Sequence, residues 1–176
     1  MLVIVGPSAS GKSEVVNNLI KHFGMHKLVT CTTRAMRQSE VNDRDYHFLT
    51  IQEFKAKIDN DEFVEWQIYN NNYYGSLKRE VTPSAAVILE PVGYFEYKKK
   101  MDDIYGVFLN IDANIRFERM LKRGDGEQKA HERIMIDEEV FNKKIIDQFD
   151  LVIDDFSLSV DEITKLIYDH YEGRCK

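Results

Sequence analysis

Short apolar runs alternate with longer stretches of helical spacing along most of this chain. Leu2-Val3-Ile4-Val5 and the runs at 27–32, 86–90, 104–111 and 150–153 have the length and composition of buried strands. Between them, apolar residues recur three and four positions apart, as in Val15, Val16, Leu19, Ile20 and Phe23. That spacing predicts helices near 12–23, 93–101, 113–122, 130–148 and 158–171. Strand alternating with helix predicts an α/β fold with a mostly parallel sheet covered on both faces, a three-layer core. Such sheets bind ligands at the C-terminal ends of their strands. The stretch 33–80 breaks the alternation. It is rich in aromatic and charged residues, holds one short helical pattern at 51–59 (Ile51, Phe54, Ile58) and is otherwise strand and turn. It reads as a small α+β insertion carried on the sheet.

The first apolar run leads straight into Gly6-Pro7-Ser8-Ala9-Ser10-Gly11-Lys12-Ser13. This is G-x-x-x-x-G-K-S between a predicted strand and a predicted helix, the context in which the pattern cradles phosphate. Gly6 and Gly11 allow a close backbone approach to an anion. Loop N–H groups and the helix N-terminus then face the β-phosphate. Lys12 supplies a mobile positive charge, and the Ser13 hydroxyl is placed to ligate Mg²⁺.

Composition narrows the classes. At 176 residues, 43% hydrophobic and 31% charged, the chain is expected to form one soluble domain. A formal net charge of -6 argues against a general nucleic-acid binder, and any polyanion must be held by local positive charge. The apolar stretches are too short to span a membrane, and the first strand begins so early that no leader peptide is expected. Cys31 and Cys175 lie far apart, with neither a disulfide nor a metal spacing. A reducing cytoplasm is the natural inference.

A second constellation starts with Thr30-Cys31-Thr32-Thr33-Arg34-Ala35-Met36-Arg37 and continues through Glu40, Asp45-Tyr46-His47-Phe48, Glu62-Phe63-Val64-Glu65-Trp66 and Asn72-Tyr73-Tyr74-Gly75-Ser76. Guanidinium groups three residues apart, with two later phenols, suit a phosphomonoester. A carboxylate such as Glu65 suits a base edge with two N–H donors, which guanine offers and adenine does not. Further on, Arg119 and Arg123 share a helix face. Gly124-Asp125-Gly126-Glu127 then breaks the helix, and Arg133 follows. A glycine-flanked arginine lid would neutralise charge and exclude water during phosphoryl transfer.

These blocks, taken in order, resemble guanylate kinase over essentially the whole length. The glycine loop alone is shared by many nucleotide enzymes, whereas the ordered set TTR-x-x-R, DYHF, EW and NYYG is specific. The resemblance implies transfer of phosphate from Mg²⁺·ATP to GMP, and dGMP with it. It implies phosphate-binding roles for Arg34, Arg37, Tyr46 and Tyr74, and guanine-contacting roles for Thr30, Glu65 and Ser76, with Gly75 and Glu90 beside them. Residues 6–13 with Arg119 and Asp155 would hold ATP. Lys12, Arg34, Arg119, Arg123 and Arg133 would serve catalysis, and Ser13 and Glu90 the metal. On this reading the core is 1–32 and 81–176, the monophosphate-binding insertion about 33–80 and the lid about 122–132. The partners are nucleotides, not nucleic acid or membrane, in a monomer or homodimer.

The chain also departs from the family pattern. Where the family carries L-D-I-D, it has Leu89-Glu90-Pro91-Val92. Glu90 keeps an acid that could hold Mg²⁺ through water, Pro91 is expected to stiffen the strand end, and Val92 cannot accept an N–H. Asp155 stands where an adenine-contacting Asn is expected. Kinases of other nucleotides or of ribose phosphates, and peptide-binding modules on the same scaffold, are the alternatives. Tyr73 is expected to pack, Cys31 to fill a buried strand, Lys98-Lys99-Lys100 to form a solvated helix end, and the five histidines to be surface or structural.

Overall fold

The computed structural model describes residues 1–38, 40–69, 71–155 and 157–174, so Cys175 lies outside the described residues. In chain order the elements are β1 (Leu2–Val5), α1 (Lys12–Phe23), β2 (His26–Lys27), β3 (Cys31–Thr32), β4 (His47–Phe48), α2 (Ile51–Asp59), β5 (Phe63–Tyr69), β6 (Asn72–Leu77), β7 (Ala85–Ile88), α3 (Pro91–Lys100), β8 (Tyr105–Leu109), α4 (Ala113–Arg123), α5 (Glu127–Val140), α6 (Lys143–Ile146), β9 (Leu151–Ile153) and α7 (Val160–Gly173). Five strands form a parallel sheet in the order β2-β7-β1-β8-β9.

β1 lies between β7 and β8 and is buried along its whole length. Its side chains alternate between the two faces. Leu2 and Ile4 join a core with Leu19 of α1 and Ile167 and Tyr171 of α7. Val3 and Val5 join another with Tyr94 and Tyr97 of α3 and Phe108 of β8. Helices therefore cover both faces, as the alternation of strand and helix predicted. The second sheet, ordered β4-β3-β6-β5, has its own small core of Cys31, Phe54, Phe63 and Leu77, with α2 against it. Phe54 stacks on Phe63 with ring centroids 4.4 Å apart.

The structure differs from the sequence pattern in four places. The run 27–32 is two strands. His26–Lys27 pairs with β7 at the edge of the main sheet, while Cys31 and Thr32 pair with Gly75 and Tyr74 in the second. The second sheet thus draws its first strand from Cys31 onward. The helical pattern at 130–148 is also two elements, because the Asn142 side chain accepts the Ile145 N–H at 3.3 Å and caps a separate α6.

Pro91 does not stiffen a strand end. It sits in the first turn of α3, where its missing N–H has no intrahelical partner to lose. Lys98-Lys99-Lys100 is not simply a solvated end either. Lys100 Nζ donates to the Val64 carbonyl at 2.5 Å and Lys98 Nζ to the Gln148 carbonyl at 3.0 Å. Cys31 and Tyr73 pack as expected: Cys31 is buried, which pushes its thiol up to about 12, and Tyr73 lies 5.2 Å from the Phe54 ring.

Candidate active site

Residues 6–11 join β1 to α1 at the C-terminal edge of the main sheet. Gly11 has φ 97°, a left-handed conformation strained for any side chain, and it delivers the chain into α1 with no side chain capping the helix. The first N–H groups of α1 are therefore open to an anion. Lys12 folds back over the loop, its Nζ donating to the carbonyls of Gly6 at 2.5 Å and Pro7 at 2.8 Å. Burial lowers its pKa, and the nearby carboxylates of Glu90 and Asp137 work in the opposite direction. The Ser8 N–H donates to Asp137 Oδ2 at 2.9 Å, and the same oxygen accepts from Arg116 Nη1 at 2.8 Å. Arg116 in turn donates through Nε to the Ile111 carbonyl at 3.1 Å. A buried ion pair thus ties α4 and α5 to the loop.

A cleft of about 850 Å³ opens beside this loop. Ser8, Ser13 and Glu90 line one side and Thr30, Asp45, Tyr46, Glu65, Gln67, Tyr74 and Gly75 the other, with Arg133, Ile136, Asp137 and Val140 of α5 and Phe141 after them. The second sheet builds the far wall. Glu65 on β5 is paired with Ser76 on β6 in the ladder, and Ser76 Oγ donates to Glu65 Oε1 at 2.8 Å. Gly75 makes this approach possible, since a methyl group there would stand 2.9 Å from the Glu65 carbonyl oxygen. Glu65 is only 6% exposed. Burial raises its pKa, opposed by the Ser76 bond and by Lys100. Glu90 is likewise raised by burial, and Lys12 pulls it down.

Arg34 lies against the aromatic part of this wall, 5.5 Å from the Tyr46 ring centroid. Tyr46 in turn lies 6.3 Å from the Tyr74 ring. The Arg34 fork is taken by Glu40, with Nη2 to Oε1 at 2.7 Å and Nη1 to Oε2 at 3.0 Å. Other expected site residues stand outside the cleft lining. Arg37 is exposed. Ser76 is buried behind Glu65. Arg119 Nη1 reaches the Ala9 carbonyl of the loop at 3.2 Å. Arg123 is bonded to Asp125, which also lies 3.6 Å from Arg133. Asp155 turns onto its own chain, accepting from Ser157 N–H at 2.9 Å and Oγ at 2.6 Å, away from the cleft. The expected lid segment is short between its helices: α4 ends at Arg123, capped by Gly124, and α5 starts after Gly126, both glycines with positive φ.

Sequence reasoning missed Arg116, Asp137 and Gln67. Asp137 falls four residues after Arg133 on one helix face and Arg116 three before Arg119, so spacing could have placed them near the lid arginines. No local pattern announces that they meet each other.

The family model for guanylate kinase matches residues 1–170. A guanylate kinase of Gloeobacter violaceus is 32% identical over 182 residues, covering 96% of this chain and 87% of the relative. One from Mesomycoplasma hyopneumoniae is 43% identical over 83 residues, a match spanning 46% of this chain and 42% of that relative. Among solved structures, a guanylate kinase from Anaplasma phagocytophilum superposes with a TM-score of 0.67 at 22% identity, over 99% of this chain and 85% of that one, and so shares the fold. The match across nearly the full length, with the glycine loop facing a wall that carries Tyr46, Glu65 and Tyr74, leads to one conclusion: the chain belongs to the guanylate kinase family, a family of phosphotransferases.

Proposed function

We propose that this chain transfers the γ-phosphoryl group of ATP to GMP, and to dGMP, giving GDP and dGDP with ADP. The observation that carries the proposal is that one cleft is lined both by the glycine loop, through Ser8 and Ser13, and by Thr30, Tyr46, Glu65 and Tyr74 of the opposite wall. Residues 6–13 and Arg119 hold the donor phosphates. Arg34, Arg37, Tyr46 and Tyr74 hold the acceptor phosphate, with Arg34 exchanging Glu40 for it. Glu65, with Ser76 and Thr30, reads the N1 and N2 edge of guanine. Positioning and charge neutralisation do most of the work, since the acceptor phosphate is already an anion and needs no strong base.

The donor set fits Mg²⁺. Ser13 and Glu90 offer hard oxygen atoms at the mouth of the loop. Among the described residues no group of three His, Cys, Asp or Glu forms a metal cage. When bound, the ion offsets charge on the β- and γ-phosphates. The segment of about 33–80 acts as the monophosphate-binding unit and about 122–132 as the lid, with Arg119, Arg123 and Arg133 closing on the donor. Among the described residues no helix is long and apolar enough to cross a membrane, and we place the activity in the cytoplasm.

An assay of ADP release with GMP, dGMP, IMP, AMP, UMP and a ribose bisphosphate tests the reading. GMP and dGMP are expected to turn over fastest. Preference for AMP, UMP or the ribose bisphosphate would overturn the acceptor assignment.

A further inference from the structure

Tyr97 of α3 is fully buried, yet its hydroxyl has no hydrogen-bond partner among the described residues. Burying a phenol whose donor goes unused is unfavourable, and a core built only for packing would carry Phe there. The polar side chains near enough to perturb the buried Tyr97 hydroxyl are Ser76 and Glu65. Ser76 is itself fully buried, and its one O–H is committed to Glu65 Oε1 at 2.8 Å. Its remaining capacity is as an acceptor. Tyr97 therefore has one donor to place and one acceptor beside it. Donation from Tyr97 to Ser76 would extend the bond that Ser76 already makes to Glu65. One carboxylate oxygen is held from behind, and the other is left for a ligand in the cleft. The helix that carries Tyr97 is pinned to the same strand by Lys100 Nζ on the Val64 carbonyl at 2.5 Å.

We propose that Tyr97 is a positioning residue for base recognition, orienting Glu65 through Ser76. This rests on the acceptor reading given above. A donor behind Ser76 polarises its O–H and favours the carboxylate over the neutral acid. The other charged groups around Glu65 are Lys100 and Glu96 of α3. Lys27, Asp45, Tyr46, Tyr74 and Glu90 share the cleft with it. None of these is altered by removing the Tyr97 oxygen.

The test is steady-state kinetics of Tyr97→Phe against the wild type between pH 5 and 9, with Ser76→Ala and the double variant alongside. Tyr97→Phe is expected to raise the KM for GMP about threefold to tenfold, the effect of one lost hydrogen bond, with kcat and the KM for ATP within about twofold. The acid limb of GMP affinity should move to higher pH. In the Ser76→Ala background the same change should have no further effect. Tyr97→Phe indistinguishable from wild type would overturn the inference alone. So would a loss shared equally by both substrates with a lowered Tm, which marks packing. A wild type that leaves GMP untouched would instead overturn the acceptor reading and, with it, this extension.

Discussion

Glu65 is pulled two ways by its surroundings. A carboxylate buried to 6% exposure is unfavourable in its charged form, and its pKa is raised above the usual glutamate range by burial. The same burial makes the charge a strong acceptor for a base edge. Because the folded chain binds this proton more tightly than the unfolded chain, ionised Glu65 lowers stability near neutral pH. That loss is relieved as pH falls through the raised folded value. Glu65→Gln is therefore expected to raise Tm at pH 7 while raising the KM for GMP about tenfold to a hundredfold, the effect of losing hydrogen bonds to a charged group. The KM for ATP should stay put. Thermal melts and paired KM measurements check this; equal changes in both KM values would remove Glu65 from base recognition. Glu65 and Lys12 were legible in the sequence because each sits in a short ordered block. Asp137 was not, because its partners Ser8 and Arg116 arrive from elements remote in sequence.

α4 and α5 are joined to the glycine loop by charge. Arg116 and Asp137 are 5% and 13% exposed, and Asp137 also accepts the Ser8 N–H. Removing one member of a buried pair strands the other, at a cost of about 3–5 kcal/mol, whereas replacing both with apolar side chains is often neutral. Asp137→Ala is thus expected to lower stability by about 3 kcal/mol, and Arg116→Leu with Asp137→Leu to recover most of it. The double variant should still bind ATP less well, because Arg133 stands four residues from Asp137 on α5 and loses its tether to the loop. Denaturation in urea and the KM for ATP measure the two effects; a double variant with wild-type affinity for ATP would confine the pair to stability. The helices themselves were legible from apolar spacing. The division of 130–148 was not, since the pattern continues across Asn142 and only the cap reveals the stop. The run 27–32 failed for a related reason: its apolar character persists while its partner strand changes from β7 to β6.

The molecule as a whole is two sheets with a cleft between them. The five-stranded sheet presents the glycine loop, and the four-stranded sheet presents Tyr74 and Glu65, with Tyr46 just before β4, across from it. Strand–helix alternation in the sequence announced the first sheet. It announced the second only as a break in pattern, because β3 and β4 are two residues each and too short to show a period. The proposed function requires both walls of the cleft to act on one bound assembly. The most direct measurement is calorimetric titration with adenosine and guanosine joined 5′ to 5′ through five phosphates. One molecule is expected to bind per chain, at least tenfold tighter than ATP or GMP alone, because occupying one wall raises the effective concentration at the other. Binding no tighter than the better single nucleotide, or two molecules per chain, would contradict it.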